Sequence, residues 1–305
     1  MKIAVIGTTV LLCALGVLAS AARATGWEYQ NPRSENRFLN RVRTDSAGGA
    51  FAVGNEGVIL RCDGERWLAM PSGVDYDLLD VCVFDPGAGL DAVAVGGSGT
   101  ALVFDGSAWS ELATSTVLDL NGVWGPAADD LFAVGEDGVI LRYDGASWGL
   151  MTTVGVPNLW AVWGASTTDV FAAGDWGLIL HYDGTDWTVM TAAPHWLDGI
   201  WGSSGQDVFV VGASGLILHY DGSEWSSMDS GASLDFTDVW GVSGTDVYAV
   251  TNFGNVQGKI YRYDGSSWAE VYSADAAFNG IGGFPGGAVF VVGAWGVILR
   301  GEGGS

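Results

Sequence analysis

The residues whose types could do chemistry are four tryptophans and a histidine set among short acidic segments. Trp160, Trp176, Trp196, Trp295 and His195 share these segments with Glu56, Glu136, Asp137 and Asp175. Indole planes beside carboxylates suit two kinds of ligand. A sugar offers C–H faces to stack and hydroxyls to hydrogen-bond, and a cationic peptide side chain is drawn to ring and carboxylate alike. Two carboxylates held about 5 to 9 Å apart would also run glycoside hydrolysis, so a glycan-processing hydrolase or lyase on the same residues is the alternative reading. The spacing pairs no two acids. There is no Ser/His/Asp motif, no His-Glu-x-x-His and no Asp-x-Asp-x-Asp-Gly loop, so the sequence calls for no metal, no cofactor and no catalytic set. The reading is a non-catalytic binding or scaffold protein that presents an aromatic, acidic face to a protein or a glycan.

A repeat positions these residues. The stretch VWGASTTDVFAAGDWGLILHYDGTDW, starting at Val162, returns at Ile200 as IWGSSGQDVFVVGASGLILHYDGSEW. Blocks of Asp-Gly-x-x-Trp begin at Asp63, Asp105, Asp144, Asp183, Asp221 and Asp264, in steps of 42, 39, 39, 38 and 43 residues. That is the length of a four-stranded propeller blade. A seventh copy begins at Phe278 and reaches Glu302 in the Asp slot, and the chain stops before a tryptophan. Trp27 supplies the missing strand from the other end. The sequence therefore predicts an all-β, seven-bladed β-propeller over residues 25–305, with four-stranded antiparallel blades and the N-terminal strand completing the last one. Within a blade, runs of Val, Ile, Phe and Leu alternate with Gly, Asp, Asn and Ser, as strands and tight turns require. Asp-Gly marks a reversal, because Asp bonds the local backbone and Gly accepts positive φ.

These Trp-Gly and Tyr-Asp-Gly-x-x-Trp repeats resemble those of secreted bacterial seven-bladed propellers. They are more distantly similar to Asp-box propellers and to photosystem II stability-factor-like propellers. The resemblance covers about residues 26 to 305 and implies the fold. It implies no single activity, since propellers host binding modules, scaffolds and hydrolases. In the Asp-box one residue separates Asp from Gly, whereas here they are adjacent. Sialidases of this fold hold a substrate carboxylate with three arginines, and no such cluster is visible. Arg33, Arg37, Arg41 and Arg43 sit in one N-terminal run, and Arg61, Arg142, Arg262 and Arg300 share a repeat slot. Arg66 and Lys259 remain, and only Arg43, in the first-strand Trp slot of blade one, looks placed.

The repeat also separates packing from function, since a residue filling a slot is accounted for by packing and one that breaks the pattern is not. Of the 15 tryptophans, seven fill the last-strand slot (Trp27, Trp67, Trp109, Trp148, Trp187, Trp225, Trp268) and four the first-strand slot (Trp124, Trp163, Trp201, Trp240). Trp160, Trp176, Trp196 and Trp295 are left over. Trp176 and Trp295 fall in the hairpins between strands two and three, and Trp160 and Trp196 fall where a blade begins. In a propeller these loops emerge on one face. The same hairpins carry Glu56, Glu136, Asp137 and Asp175. His181 and His219 share the arginine slot and read as structural, while His195 breaks the pattern beside Trp196.

Residues 1–24 read as an export signal: Lys2, an apolar run from Ile3, and Ala22-Arg23-Ala24 as the cleavage site. The mature chain is expected to be secreted, periplasmic or on the cell surface, and monomeric. Cys13 follows Leu12, which is wrong for lipoprotein processing. The net charge of −23 grows by two when Lys2 and Arg23 leave with the leader. So acidic a chain repels phosphate backbones and anionic headgroups, which argues against nucleic acid and direct lipid binding. With 49% hydrophobic residues it still has ample material for a core. Cys62 and Cys82 remain after cleavage and are free to pair or not.

Overall fold

The second strand of each blade is buried on both faces, which is why it reads as an unbroken apolar run such as Ala50–Gly54 or Ala92–Gly96 rather than as an alternating one. The computed structural model describes residues 26–30, 37–46, 48–85, 90–151 and 157–303. The leader expected over residues 1–24 lies outside them. Seven four-stranded antiparallel sheets stand in a ring. Blades one to six span residues 39–70, 78–111, 120–151, 159–192, 197–228 and 235–274, and the seventh joins 278–302 to the strand Trp27–Tyr29. The closure is the one expected: Trp27 pairs with Gly301 and Tyr29 with Leu299.

Two tryptophan slots hold the blades together. The fourth-strand indole meets an aromatic ring of the preceding blade edge-on, as in Trp109 on Phe51 (5.6 Å between ring centres, 89°), Trp67 on Phe290 (5.4 Å, 89°) and Trp27 on Tyr248 (6.4 Å, 76°). Such T-shaped pairs add about 0.5–1.5 kcal/mol to the burial itself. The N–H groups of Trp67, Trp109, Trp148, Trp187, Trp225 and Trp268 are buried without an oxygen or nitrogen acceptor. All of these but Trp148 make a T-shaped contact with an aromatic ring of the preceding blade.

The first-strand indoles explain the Trp-Gly dipeptide. Each lies over the glycine of the next blade: a Cβ on Gly164 would come within 2.7 Å of Trp124, and one on Gly202 within 2.6 Å of Trp163. Glycine is required there by its neighbour's tryptophan, not by its own strand. Trp124, Trp163, Trp201 and Trp240 are thus packing residues, half-buried, and with Arg43 and Cys82 they line a cavity of roughly 210 Å³ at the channel end opposite the strand-two hairpins.

Across the channel, blade one reaches the far side of the ring through two arginines. Arg41 donates to the carbonyls of Thr237 (3.1 Å), Asn279 (2.8 Å) and Asp198 (3.1 Å). Arg43 donates to the Asp238 carboxylate (3.1 Å) and to the Ile281 carbonyl (3.0 Å). Burial raises the carboxyl pKa of Asp80, and the two arginines oppose it. The placement of Arg43 is therefore structural. Cys62 and Cys82 are free thiols; Cys82 donates to the Gly125 carbonyl (3.7 Å), and burial pushes its pKa up to about 12.

Candidate functional site

In six blades the hairpin between strands two and three turns on one left-handed residue followed by a left-handed glycine. The six are Glu56 (φ 55°), Ser98 (56°), Asp137 (51°), Trp176 (58°), Ser214 (59°) and Trp295 (59°). This conformation costs an L-residue about 1–2 kcal/mol, least for Asn and Asp. A tryptophan gains nothing locally by adopting it.

The repeat normally caps this turn from the next blade. The backbone N–H of Glu56 donates to Asp77 Oδ1 (2.8 Å), Ser98 to Asp119 (2.7 Å), Asp137 to Asn158 (3.0 Å) and Ser214 to Asp235 (2.8 Å). Asp77, Asp119 and Asn158 immediately precede the first strand of their blades, and Asp235 opens its own. At the two tryptophan tips that position is aromatic: Trp196 follows Trp176 around the ring, and Phe38 follows Trp295. A polar cap and a turn residue have been replaced together by a pair of rings. Trp295 packs against Phe38 at a tilt of 42°, 5.4 Å between ring centres, and is 47% exposed, whereas Trp176, 78% exposed, meets no ring among the described residues; Trp196 is 53% exposed.

The first strands carry a second repeated device. Asn40 donates across its seam to the Leu78 carbonyl (2.8 Å), Asn121 to Leu159 (2.9 Å), Thr237 to Phe278 (2.9 Å) and Asn279 to Leu39 (2.9 Å). The equivalent residues in the other blades are Leu79, Trp160 and Asp198. Trp160, half-buried, donates its indole N–H to Asp175 (2.7 Å) within its own blade, and Asn158 holds the other oxygen of that carboxylate (3.0 Å). Asp198 accepts no hydrogen bond on its carboxylate from any described donor. Burial, with Asp235 and Asp175 adding to it, pushes its pKa up to about 7 against the pull of Arg41.

The predicted residues therefore divide by sector. Trp160, Asp175, Trp176, His195 and Trp196 come together where blades four and five meet; His195 is exposed there. Trp295 opens from the same end of the ring but three blades away, at the closure seam. Glu136 is fastened back, its carboxylate accepting the Asp119 N–H (3.2 Å), and Glu56 faces Arg37 (3.4 Å). Asp137 holds its turn through its backbone N–H. Sequence reasoning missed Asp198. Its signal was present as an acid in a slot that holds Asn or Thr in four of the other six blades.

The fold has many solved counterparts. YCF48 from Cyanidioschyzon merolae superposes with a TM-score of 0.72 at 18% identity, covering 91% of this chain and 98% of that one. A structure of YCF48 bound to D1 peptide gives 0.72 at 16% identity, over 94% and 100%. The WD40 repeats of RRP9 give 0.75 at 10%, over 92% and 98%. At these identities the likeness is one of fold: a seven-bladed propeller distantly similar to YCF48. No family model matches the chain, and no curated protein sequence does.

Proposed function

We propose that this chain is an exported, non-catalytic binding propeller that docks a protein segment on its hairpin face, at the sector of blades four and five. The observation that carries this reading is the paired replacement at Trp176 and Trp196. A strained turn residue and its polar cap have both become tryptophans, and both rings face solvent. Exposed aromatic pairs of this kind are costly to keep without a partner and are typical of recognition surfaces. The superposable YCF48 structure that holds a D1 peptide supports a peptide as occupant. The dense hydrogen bonding of Asp175 supports a scaffold role for this acid, since it sets the Trp160 ring and the hairpin in place.

The test is to select peptides on the immobilised mature chain and map the tightest binder by photo-crosslinking. Adducts at residues 175–177 and 195–198 are expected. Adducts confined to the outer blade edges or to the Asp-Gly turns would overturn the reading. Export is tested by mass spectrometry of the expressed protein, with Thr25 expected as the mature N-terminus and a retained leader contradicting it.

A further inference from the structure

We infer that Asp198 is the anchor for a cationic side chain, so that the segment docked at blades four and five carries a lysine or arginine inserted at the channel mouth. This rests on the binding-face reading above and adds the chemistry of the occupant.

The first ground is the broken repeat. Asparagine or threonine in this slot donates to the next blade's carbonyl, and an ionised carboxylate cannot donate at all. Packing is therefore served worse by Asp198 than by the asparagine the repeat uses in blades one, three and seven. The second is the state of its neighbours. The cation near Asp198 is Arg41, but that guanidinium is spent on the backbone carbonyls of Asp198, Thr237 and Asn279 and stands 3.9–4.0 Å from Asp238 and Asp80. Asp175 and Asp235, from the flanking blades, add negative charge around Asp198. A partly buried carboxylate without a donor, in an acidic setting, is a receptor for a positive charge.

The third ground is the aromatic wall. Trp176 and Trp196 are exposed, Trp196 two residues before Asp198, and Trp160 is held half-buried by Asp175, so three indoles lie in the same sector as the carboxylate. Indole is the preferred ring for an ammonium or guanidinium ion. The charge of the whole chain, −23, would draw a basic segment from a distance. A sugar brings hydroxyls to the carboxylate but no charge to balance it, and an acidic peptide satisfies only the rings.

The free site and its bound form also differ in protons. A carboxyl that is about half protonated near pH 7 ionises fully when a cation arrives, so binding should release a fraction of a proton there. The charged groups facing it are Arg41, Asp175 and Asp235.

The experiment uses the full mature chain and three labelled decapeptides of one Gly/Ser/Trp framework, carrying a central arginine, citrulline or glutamate. The arginine peptide should bind at least about tenfold more tightly than the other two. Asp198→Asn should remove that preference without lowering the melting temperature, because asparagine restores the repeat's own donor. Glu224→Gln, an equal change of charge on the opposite face, should leave it intact. Calorimetry at pH 7 in buffers of different ionisation enthalpy should show proton release with wild type and none with Asp198→Asn. Equal binding of the arginine and citrulline peptides, or an Asp198→Asn variant that keeps the preference, overturns the assignment. If peptides selected in the earlier experiment still crosslink at blades four and five in that case, the binding-face reading survives it.

Discussion

The seam between blades three and four and the seam between blades five and six come from the same repeat and differ by an amide for a carboxylate. Asn121 crosses the first with a 2.9 Å hydrogen bond to Leu159, while the Asp198 carboxylate stands at the second with no hydrogen bond from any described donor, and when ionised it has no proton to give the carbonyl across the seam. The hairpin turns diverge as well: the turn of Asp137 is capped by Asn158, whereas the turn of Trp176, at the seam of blades four and five, has the exposed Trp196 in the cap position. A ring of near-identical blades needs only most of its seams to be fully bonded. The sector that departs from the repeat is then available for recognition, and its departures are the place to look for it.

The largest effect should come from a seam residue that keeps the repeat. Trp27 closes the ring, and Trp27→Ala should cost about 3–5 kcal/mol in urea unfolding, as buried aromatic truncations do. A loss below 1 kcal/mol would deny the closure strand its part in stability. A reciprocal exchange then sharpens the comparison. Asn121→Asp places an unpaired carboxylate in a bonded seam and leaves the Leu159 carbonyl without its donor, a loss of about 1–3 kcal/mol. Asp198→Asn should leave stability unchanged or raise it. Equal losses at the two sites would show that the seams are equivalent after all.

The pH profile separates the same two kinds of residue. Asp198 has a folded pKa raised to about 7, so between pH 7 and about 4 the folded chain binds more protons than the unfolded one and stability rises as pH falls. The turn carboxylates behave oppositely. Asp105, Asp221 and Asp264 are lowered to about 2 by neighbouring serine hydroxyls and backbone N–H groups, so their contribution is complete above about pH 4 and lost as pH falls toward 2. Thermal melts should therefore peak between pH 4 and 6, and Asp198→Asn should flatten the neutral side alone. The smallest expected effect is at the strained turn. Trp176→Asn should stabilise by up to about 1 kcal/mol, because asparagine tolerates the left-handed conformation better.

The fold was legible because every blade repeats the same turn and tryptophan slots, and because Trp27 lay in fourth-strand order at the wrong end of the chain. Trp160, Trp176 and Trp196 were legible for the complementary reason, as aromatics the slots did not require. Glu56 and Glu136 looked equivalent to Asp175 in sequence, yet Glu136 is held by the Asp119 backbone and Glu56 faces Arg37. Hairpin position alone does not tell which acids are engaged. Asp198 escaped because an alignment built on tryptophans, glycines and turns passes over an Asn-to-Asp difference, whose meaning appears only when the carbonyl across the seam is seen. The role of Arg43 was hidden likewise, since its partners Asp238 and Ile281 are 195 and 238 residues away.

The central claim is that the rings at blades four and five serve a partner rather than the core. It is tested most directly by the affinity of a Trp176→Ala/Trp196→Ala double variant for a peptide selected on the wild-type chain, measured alongside its melting temperature. Affinity should fall at least about tenfold, as when aromatic anchors are removed from an interface, while the melting temperature stays within about 2 °C. Unchanged affinity with a large drop in melting temperature would show that the two indoles hold the blades together and that the partner binds elsewhere.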